Sequence, residues 1–284
     1  MPDDLIRDIE QITKQAQTSI KGLLESERDL YIKRLEEAPP IPTMAIVEAR
    51  TLRMVRREEE NKENPEPSQD FVNWVIVNIL GLSFYEQLEM WTNESGQWME
   101  NAAVTTGKKT LFEIKPDLVF NHKDERLLRW LSERSRREAQ LIKGATDEDV
   151  IMTLWDVVMD GNYSIPKLSK AIQESNAFSE VRAERIARTE VISASRAGQY
   201  HGDMQSGLVI GKKWMAANQE RTRDGHRGAS GQVVAFDEPF LVANANGQLE
   251  PLMFPGDTSL GASASNVINC RCWYKRILEG EEME

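Results

Sequence analysis

The chain has 284 residues, 40% hydrophobic and 29% charged, a globular composition of about two domains that can bury a core without a disulfide or metal staple. Its 46 acidic against 35 basic side chains leave a formal charge of −11, which excludes a surface given over to gripping duplex DNA, because that binding is driven by Lys and Arg displacing counterions. Two cysteines make no disulfide scaffold, Met1-Pro-Asp-Asp4 lacks the basic-then-apolar pattern of a signal peptide, and no apolar stretch reaches the roughly 20 residues of a membrane span.

Leu5, Ile9, Ile12, Ala16, Ile20, Leu23 and Leu24 recur at steps of three and four, so the first 37 residues read as one helix, stopped by Pro39, Pro40 and Pro42. A second helix is expected from Thr43 to about Glu60, closing in the polar, proline-bearing linker 61–68. Residues 71–85 are the most apolar run, and with Asn73, Asn78 and Gly81 inside it a buried helix is the reading. Phe84, Leu88, Trp91, Trp98 and Ala102 continue a helical stripe of core residues. Helical patterns return at 124–142 and 147–160. A short helix follows Ser164-Ile-Pro166, with serine as cap and proline in the first turn. Residues 178–202 form one more long helix.

The period then changes to that of strands, at 208–215, 232–236 and 270–277, each bounded by Gly, Asn, Asp or Pro. The expected fold class is α+β: a mainly helical N-terminal part, 1–120, followed by a C-terminal domain, 121–284, of long helices packed on a small antiparallel sheet. In that domain the 178–202 helix is expected to cover the sheet, with Val181, Ile186, Val191 and Ile192 set against Trp214, Val233, Phe236 and Trp273. Charge divides unevenly as well. Residues 1–180 carry −10, and residues 181–278, before the acidic tail, carry +3. That back half suits weak, salt-sensitive contact with DNA and is too little for tight duplex binding.

Several motifs stand in order along the second half. A helix carries Glu184-Arg-Ile-Ala-Arg-Thr-Glu190, small residues and Gly198; Lys213-Trp214 lies on a strand; Arg221-Thr-Arg-Asp-Gly-His226 precedes Gly231. Pro255-Gly-Asp257, Gly261-Ala262 and Asn269-Cys-Arg-Cys272 close the set. With this set, residues 125–278 resemble the phage Mu F-like minor head proteins, the head-morphogenesis family of tailed bacteriophages. The family-motif positions are Arg188, Thr189, Glu190, Trp214, Arg221, Arg223, His226 and Asn269. Two positions depart from the pattern: the family often has Asp where Asn218 or Gln219 stands, and a His–Pro pair where this chain has Asn266-Val-Ile. Both losses weaken an enzymatic reading more than a structural one.

The resemblance implies a structural minor capsid protein, made in the host cytoplasm and kept in the virion, at the portal vertex or in the capsid interior. Its implied partners are the portal protein and/or the major capsid protein, with weak contact to packaged DNA during packaging or ejection and no membrane span. No enzymatic activity and no cofactor are expected. The rival reading is a virion-delivered nuclease or group-transfer effector, with His226, Arg223, Arg188 and Glu190 as base, charge clamp and acid.

Three further readings concern single residues. Arg182, Arg185 and Arg188 step along one helix, where they either pair with Glu184 and Glu190 or grip a partner's phosphate or carboxylate. Arg221-Thr222-Arg223 before Asp224-Gly225 reads as a turn. Cys270 and Cys272, two apart on an expected strand, point to one side. They are either two inert buried thiols or, with His226 and with His201 as a further candidate, ligands of a structural zinc.

Overall fold

The computed structural model of the chain describes residues 3–56, 65–81, 84–217 and 220–282. Helix α1 (Asp3–Glu37) buries Leu5, Ile12, Ala16, Ile20, Leu24, Tyr31 and Leu35 along one face, as the spacing expects. Past the prolines, α2 spans Thr43–Arg56; the remainder of that expected helix, 57–60, and the start of the linker, 61–64, lie outside the described residues. Helix α3 (Gln69–Val75) starts at Ser68, whose hydroxyl accepts from the Phe71 N–H.

The apolar run is not one buried helix. After α3 the chain widens into a π-helical turn, Ile76–Leu80, that closes on Gly81 at φ 70°. Phe71, Trp74, Val75, Ile79 and Leu80 are buried, while Ile76 and Val77 are exposed. The Arg34 guanidinium donates to the freed carbonyls of Ile79 (3.2 Å) and Leu80 (2.5 Å), and a side chain at Gly81 would collide with it.

Helix α4 (Phe84–Ile114) buries Trp91, Trp98 and Ala102 as expected. Helix α5 (Glu125–Met159) is continuous where two helices were expected. The apparent break at 143–146 contains Lys143 and Thr146, both buried, so polar residues on the core face disguise the periodicity. Helix α6 (Ile165–Glu174) has proline in its first turn, but the Ser164 side chain makes no capping bond. A short 3-10 turn, Asn176–Phe178, leads into α7 (Glu180–Ser206).

The remaining elements are β1 (Val209–Met215), α8 (Asp224–Gly228), β2 (Val233–Ala235), β3 (Phe240–Ala243), β4 (Leu249–Leu252), α9 (Ala264–Val267) and β5 (Trp273–Leu278). An antiparallel sheet runs β2-β1-β5, with Lys212 opposite Val234 and Trp214 opposite Tyr274. The fold class is therefore α+β, with a small antiparallel sheet near the C-terminal end. The β3–β4 hairpin was not expected from the sequence.

The chain forms two compact units, each drawn from separated segments. One comprises Met1–Thr18, Asn93–Arg137 and Glu184–Glu284; the other comprises Ser19–Thr92 and Glu138–Ala183. In the first, α7 lies on the sheet. The Tyr200 ring stacks on Phe236 at 4.8 Å, Gln199 donates to the Tyr274 carbonyl (3.2 Å) and the Tyr274 hydroxyl donates to Asp203 (2.6 Å). The buried face of α7 within this unit is built from Ala187, Val191, Ala194 and Ala197 rather than large aliphatics, and Trp273 is half exposed rather than a cover. Small residues permit close approach. A Cβ on Gly198 would sit 2.1 Å from the Ala103 carbonyl oxygen of α4, so only glycine fits there. Lys212 is buried with its ammonium donating to the Phe236 carbonyl (2.8 Å), among the rings of Tyr200, Phe236 and Phe240; burial lowers its pKa to about 8.

The second unit holds a buried polar cluster. Lys143 pairs with Glu27 (3.0 Å) and Asp147, and the Tyr31 hydroxyl lies 2.8 Å from each carboxylate. Arg182 ends in this unit, donating to the Thr146 hydroxyl (2.9 Å) and to the carbonyls of Ala177 (2.6 Å) and Ile142 (3.0 Å). Among the described residues no helix is long and apolar enough to cross a membrane.

Candidate functional site

The Asp224-Gly225 pair opens helix α8 and brings it against β3. A Cβ on Gly225 would lie 2.0 Å from the Ala243 carbonyl oxygen, so the close contact requires glycine, and it leaves His226 buried. The Trp214 ring from β1 meets the imidazole edge-on, with centroids 5.7 Å apart, and meets Phe240 the same way at 5.3 Å. The imidazole is thus fixed by packing before any polar contact is counted.

Its polar contacts fix the tautomer. The Asn266 amide nitrogen donates to Glu250 Oε2 (2.8 Å) and to the Val242 carbonyl (3.3 Å), which turns Asn266 Oδ1 toward His226 Nε2 at 3.1 Å. An oxygen there needs a donor, so Nε2 carries the proton and Nδ1 presents its lone pair. That lone pair faces two sulfurs: Cys272 Sγ at 3.3 Å and Cys270 Sγ at 3.6 Å.

The cysteines do not stand on a strand, as alternation suggested. They occupy the loop before β5, and the loop turns both inward at Asn269, which takes the left-handed backbone at φ 56°. The Asn269 N–H donates to the Thr189 hydroxyl (3.0 Å), which in turn donates to the Arg185 carbonyl (2.8 Å), pinning the loop to α7. Arg196 holds the other end by donating to the Cys272 carbonyl (3.1 Å). Hydrogen bonding from Cys270 is the main cause that holds the Cys272 thiol below its ordinary range, whereas the same bond and burial push Cys270 well up.

The three donors also line a cavity of about 500 Å³ together with Arg188, Arg221, Arg223 and Asn269; Arg271 and Glu220 stand on its wall. Arg188 pairs with Glu184 one turn earlier on α7, and Arg223 donates to the Ile268 carbonyl (2.5 Å). Glu190 is committed elsewhere. It forms a doubly bonded, buried pair with Arg134 (2.8 and 2.9 Å), and Arg134 also donates to the Thr258 hydroxyl (2.9 Å). Nearby, the buried Asp257 carboxylate accepts from Trp130 (3.1 Å) and from the N–H of Ser259 (2.9 Å) and Met253 (3.1 Å), so Pro255-Gly-Asp257 ties its loop to α5.

Of the arginine row on α7, Arg185 is exposed and Arg182 satisfies carbonyls, so the row forms no single grip. Among the described residues, the cluster of three His, Cys or acidic donors within 4.8 Å of one another is His226, Cys270 and Cys272, and His201 is outside it. Asn218 and Gln219 lie outside the described residues. Sequence reasoning missed Arg134, Glu250 and the role of Asn266. Arg134 sits in a charge run that looks solvated, and Glu250 lies in the hairpin that was not foreseen. Asn266 belongs to the Asn266-Val-Ile stretch that stands where the family often has a His–Pro pair, and it is the partner of the imidazole.

Residues 148–275 match the family model described as Phage Mu protein F like protein. The chain is 29% identical over 170 residues to "Uncharacterized protein YqbB" of Bacillus subtilis (strain 168), an alignment covering 59% of this chain and 54% of that protein. It is 31% identical over 120 residues to "NAD(+)--arginine ADP-ribosyltransferase EFV" of Enterococcus faecalis (strain ATCC 700802 / V583), covering 41% of this chain and 23% of that protein. The chain therefore spans about half the length of the first relative and under a quarter of the second. No solved structure matches it significantly. The matched stretch contains α7, the Trp214 strand, the His226 helix and both cysteines, so the similarity to the Phage Mu protein F like family falls on the residues that build this site.

Proposed function

We propose that the protein is a structural minor head protein of a tailed bacteriophage, acting in head morphogenesis and retained in the virion at the portal vertex or capsid interior. The family match over residues 148–275 carries this reading. The way the motif residues are used supports it. Thr189 and Asn269 bind a loop to a helix, and Glu190 is neutralised by Arg134, so these side chains serve the framework rather than a reacting centre. The portal protein and/or major capsid protein are its partners through the helical residues 1–120, and the +3 stretch 181–278 makes the weaker contact with packaged DNA.

A second reading, a virion-delivered enzyme, has two observations in its favour: His226, Arg223 and Arg188 share a cavity, and a relative of this chain is named as an ADP-ribosyltransferase. Its proposed acid, Glu190, is held in a buried pair with Arg134 instead. Mass spectrometry of purified particles, with crosslinking of assembled heads, tests the first reading. Peptides of this chain in particles, crosslinked from residues 1–120 to portal or coat protein, are expected. Absence from particles and from portal-containing intermediates would overturn it. A His226→Ala phage that assembles normally but has lost infectivity would favour chemistry.

A further inference from the structure

We propose that His226 Nδ1, Cys270 Sγ and Cys272 Sγ are three ligands of a zinc ion whose fourth coordination position opens into the arginine-lined cavity. The argument begins with distance. Tetrahedral zinc with bonds of about 2.3 Å to sulfur and about 2.0 Å to nitrogen places those two atoms about 3.5 Å apart. The imidazole Nδ1 lies 3.3 Å and 3.6 Å from the two sulfurs. The donor set is already gathered to the size of the ion.

Orientation gives a second, independent argument. Glu250 orients the Asn266 amide, and that amide fixes the proton on Nε2 and the lone pair of Nδ1 toward the sulfurs. A hydrogen-bond acceptor on the far nitrogen, here the Asn266 oxygen that Glu250 holds in place, is how proteins aim a metal-binding histidine. Chemistry agrees. Imidazole and thiolate together select zinc over calcium or magnesium, and two thiolates cancel the charge of a divalent ion in a buried place. The one-residue spacing of the cysteines is no obstacle, because the left-handed turn at Asn269 gathers them outside any strand.

Among the described residues, no fourth His, Cys, Asp or Glu joins the set of donors that lie within 4.8 Å of one another. What borders the fourth position is a cavity carrying Arg188, Arg221, Arg223 and Arg271. Guanidinium groups around an open metal position favour an oxyanion there, a phosphate or a carboxylate.

Metal analysis of the full-length chain, purified under reducing conditions without chelator, is expected to find about one zinc per chain. Cobalt exchanged into the site is expected to give a thiolate-to-metal charge-transfer band, which Cys272→Ser weakens and the double change Cys270→Ser, Cys272→Ser abolishes, while His226→Gln weakens cobalt binding. Asn266→Leu keeps all three ligands and is expected to weaken zinc binding about 10- to 100-fold, so a folded variant remains informative. Inorganic phosphate is expected to shift the cobalt spectrum, and Arg221→Ala to reduce that shift. A chain without stoichiometric metal, whose cobalt form shows no thiolate band and whose thiols titrate alike with and without zinc, would overturn the site. A phosphate-insensitive spectrum would overturn the open position.

Discussion

Glu190 and Arg134 are almost wholly buried, with side chains 3% and 1% exposed, and each satisfies the other twice. Truncating one partner strands the other as an unpaired charge, so Arg134→Ala is expected to cost about 3–5 kcal/mol in urea unfolding. The paired Arg134→Met, Glu190→Leu variant should lose much less; equal losses would refute the pairing. Neighbouring residues on α7 respond oppositely to pH. Burial lowers His201 from 6.5 to about 4, so its contribution is complete above pH 6.5 and is lost as pH falls through 4. Burial raises Asp203 from 3.8 to about 6 despite Arg276 and Tyr274, so its contribution is complete below pH 4 and is lost as pH rises through 6. In Asp203→Asn the opposing slope is removed, and the His201 contribution is expected to raise stability by on the order of 3 kcal/mol from pH 4 to 6.5. His201→Gln should show a fall over the same range, and denaturation midpoints against pH would expose slopes of the wrong sign. These charges were visible in the sequence, but their partners were not. Glu190 stood out as a motif residue, while Arg134, 56 positions earlier, lay in a run that reads as a solvated face.

At the scale of elements, period and proline placed α1, α4, α7 and the three sheet strands, because each has one face that must leave water. Failures came where the buried face is not apolar or not large. Polar core residues at Lys143 and Thr146 made α5 look like two helices, and the small residues of α7 gave no hint of its partner. The β3–β4 hairpin was missed because Leu241 and Leu249 are exposed and the alternation is weak. The site was half legible. His226 and the cysteines were singled out together, but the loop geometry that joins them follows from Asn269 and Thr189. Close approach on α7 makes a sharp prediction. Gly198→Val would drive a side chain into the Ala103 carbonyl, and it is expected to lower stability by more than about 2 kcal/mol. Gly96→Val, where a Cβ would meet nothing within 4 Å, is the control and should be neutral or stabilising by a few tenths of a kcal/mol (~0.3), because valine is the better helix former. Equal thermal shifts for the two would contradict the packing.

For the whole molecule, one compact unit gathers Met1–Thr18 and Asn93–Arg137 with Glu184–Glu284. The α4 backbone around Ala103 covers Gly198, and Lys109 on α4 pairs with Asp4 and Asp8 on α1. A 121–284 fragment lacks those partners and is expected to show no cooperative thermal transition of its own, whereas the full chain should. A fragment melting as sharply as the full chain would show that residues 121–284 suffice.

That discontinuity also sets an order in time as the chain is synthesised. Every residue of the second unit has been made by Ala183, but strand β5 at Trp273–Leu278 follows roughly 100 residues later, about 5–20 s at ordinary elongation rates. Through that interval the first helical turns, with Leu5 and Ile12, wait without the sheet and α7 residues of their unit, and the ribosome-bound chain offers them to chaperones. Slowing translation between residues 184 and 272 would lengthen the wait, so aggregation of the nascent protein, rather than the stability of the finished one, is what synonymous changes in this stretch would alter.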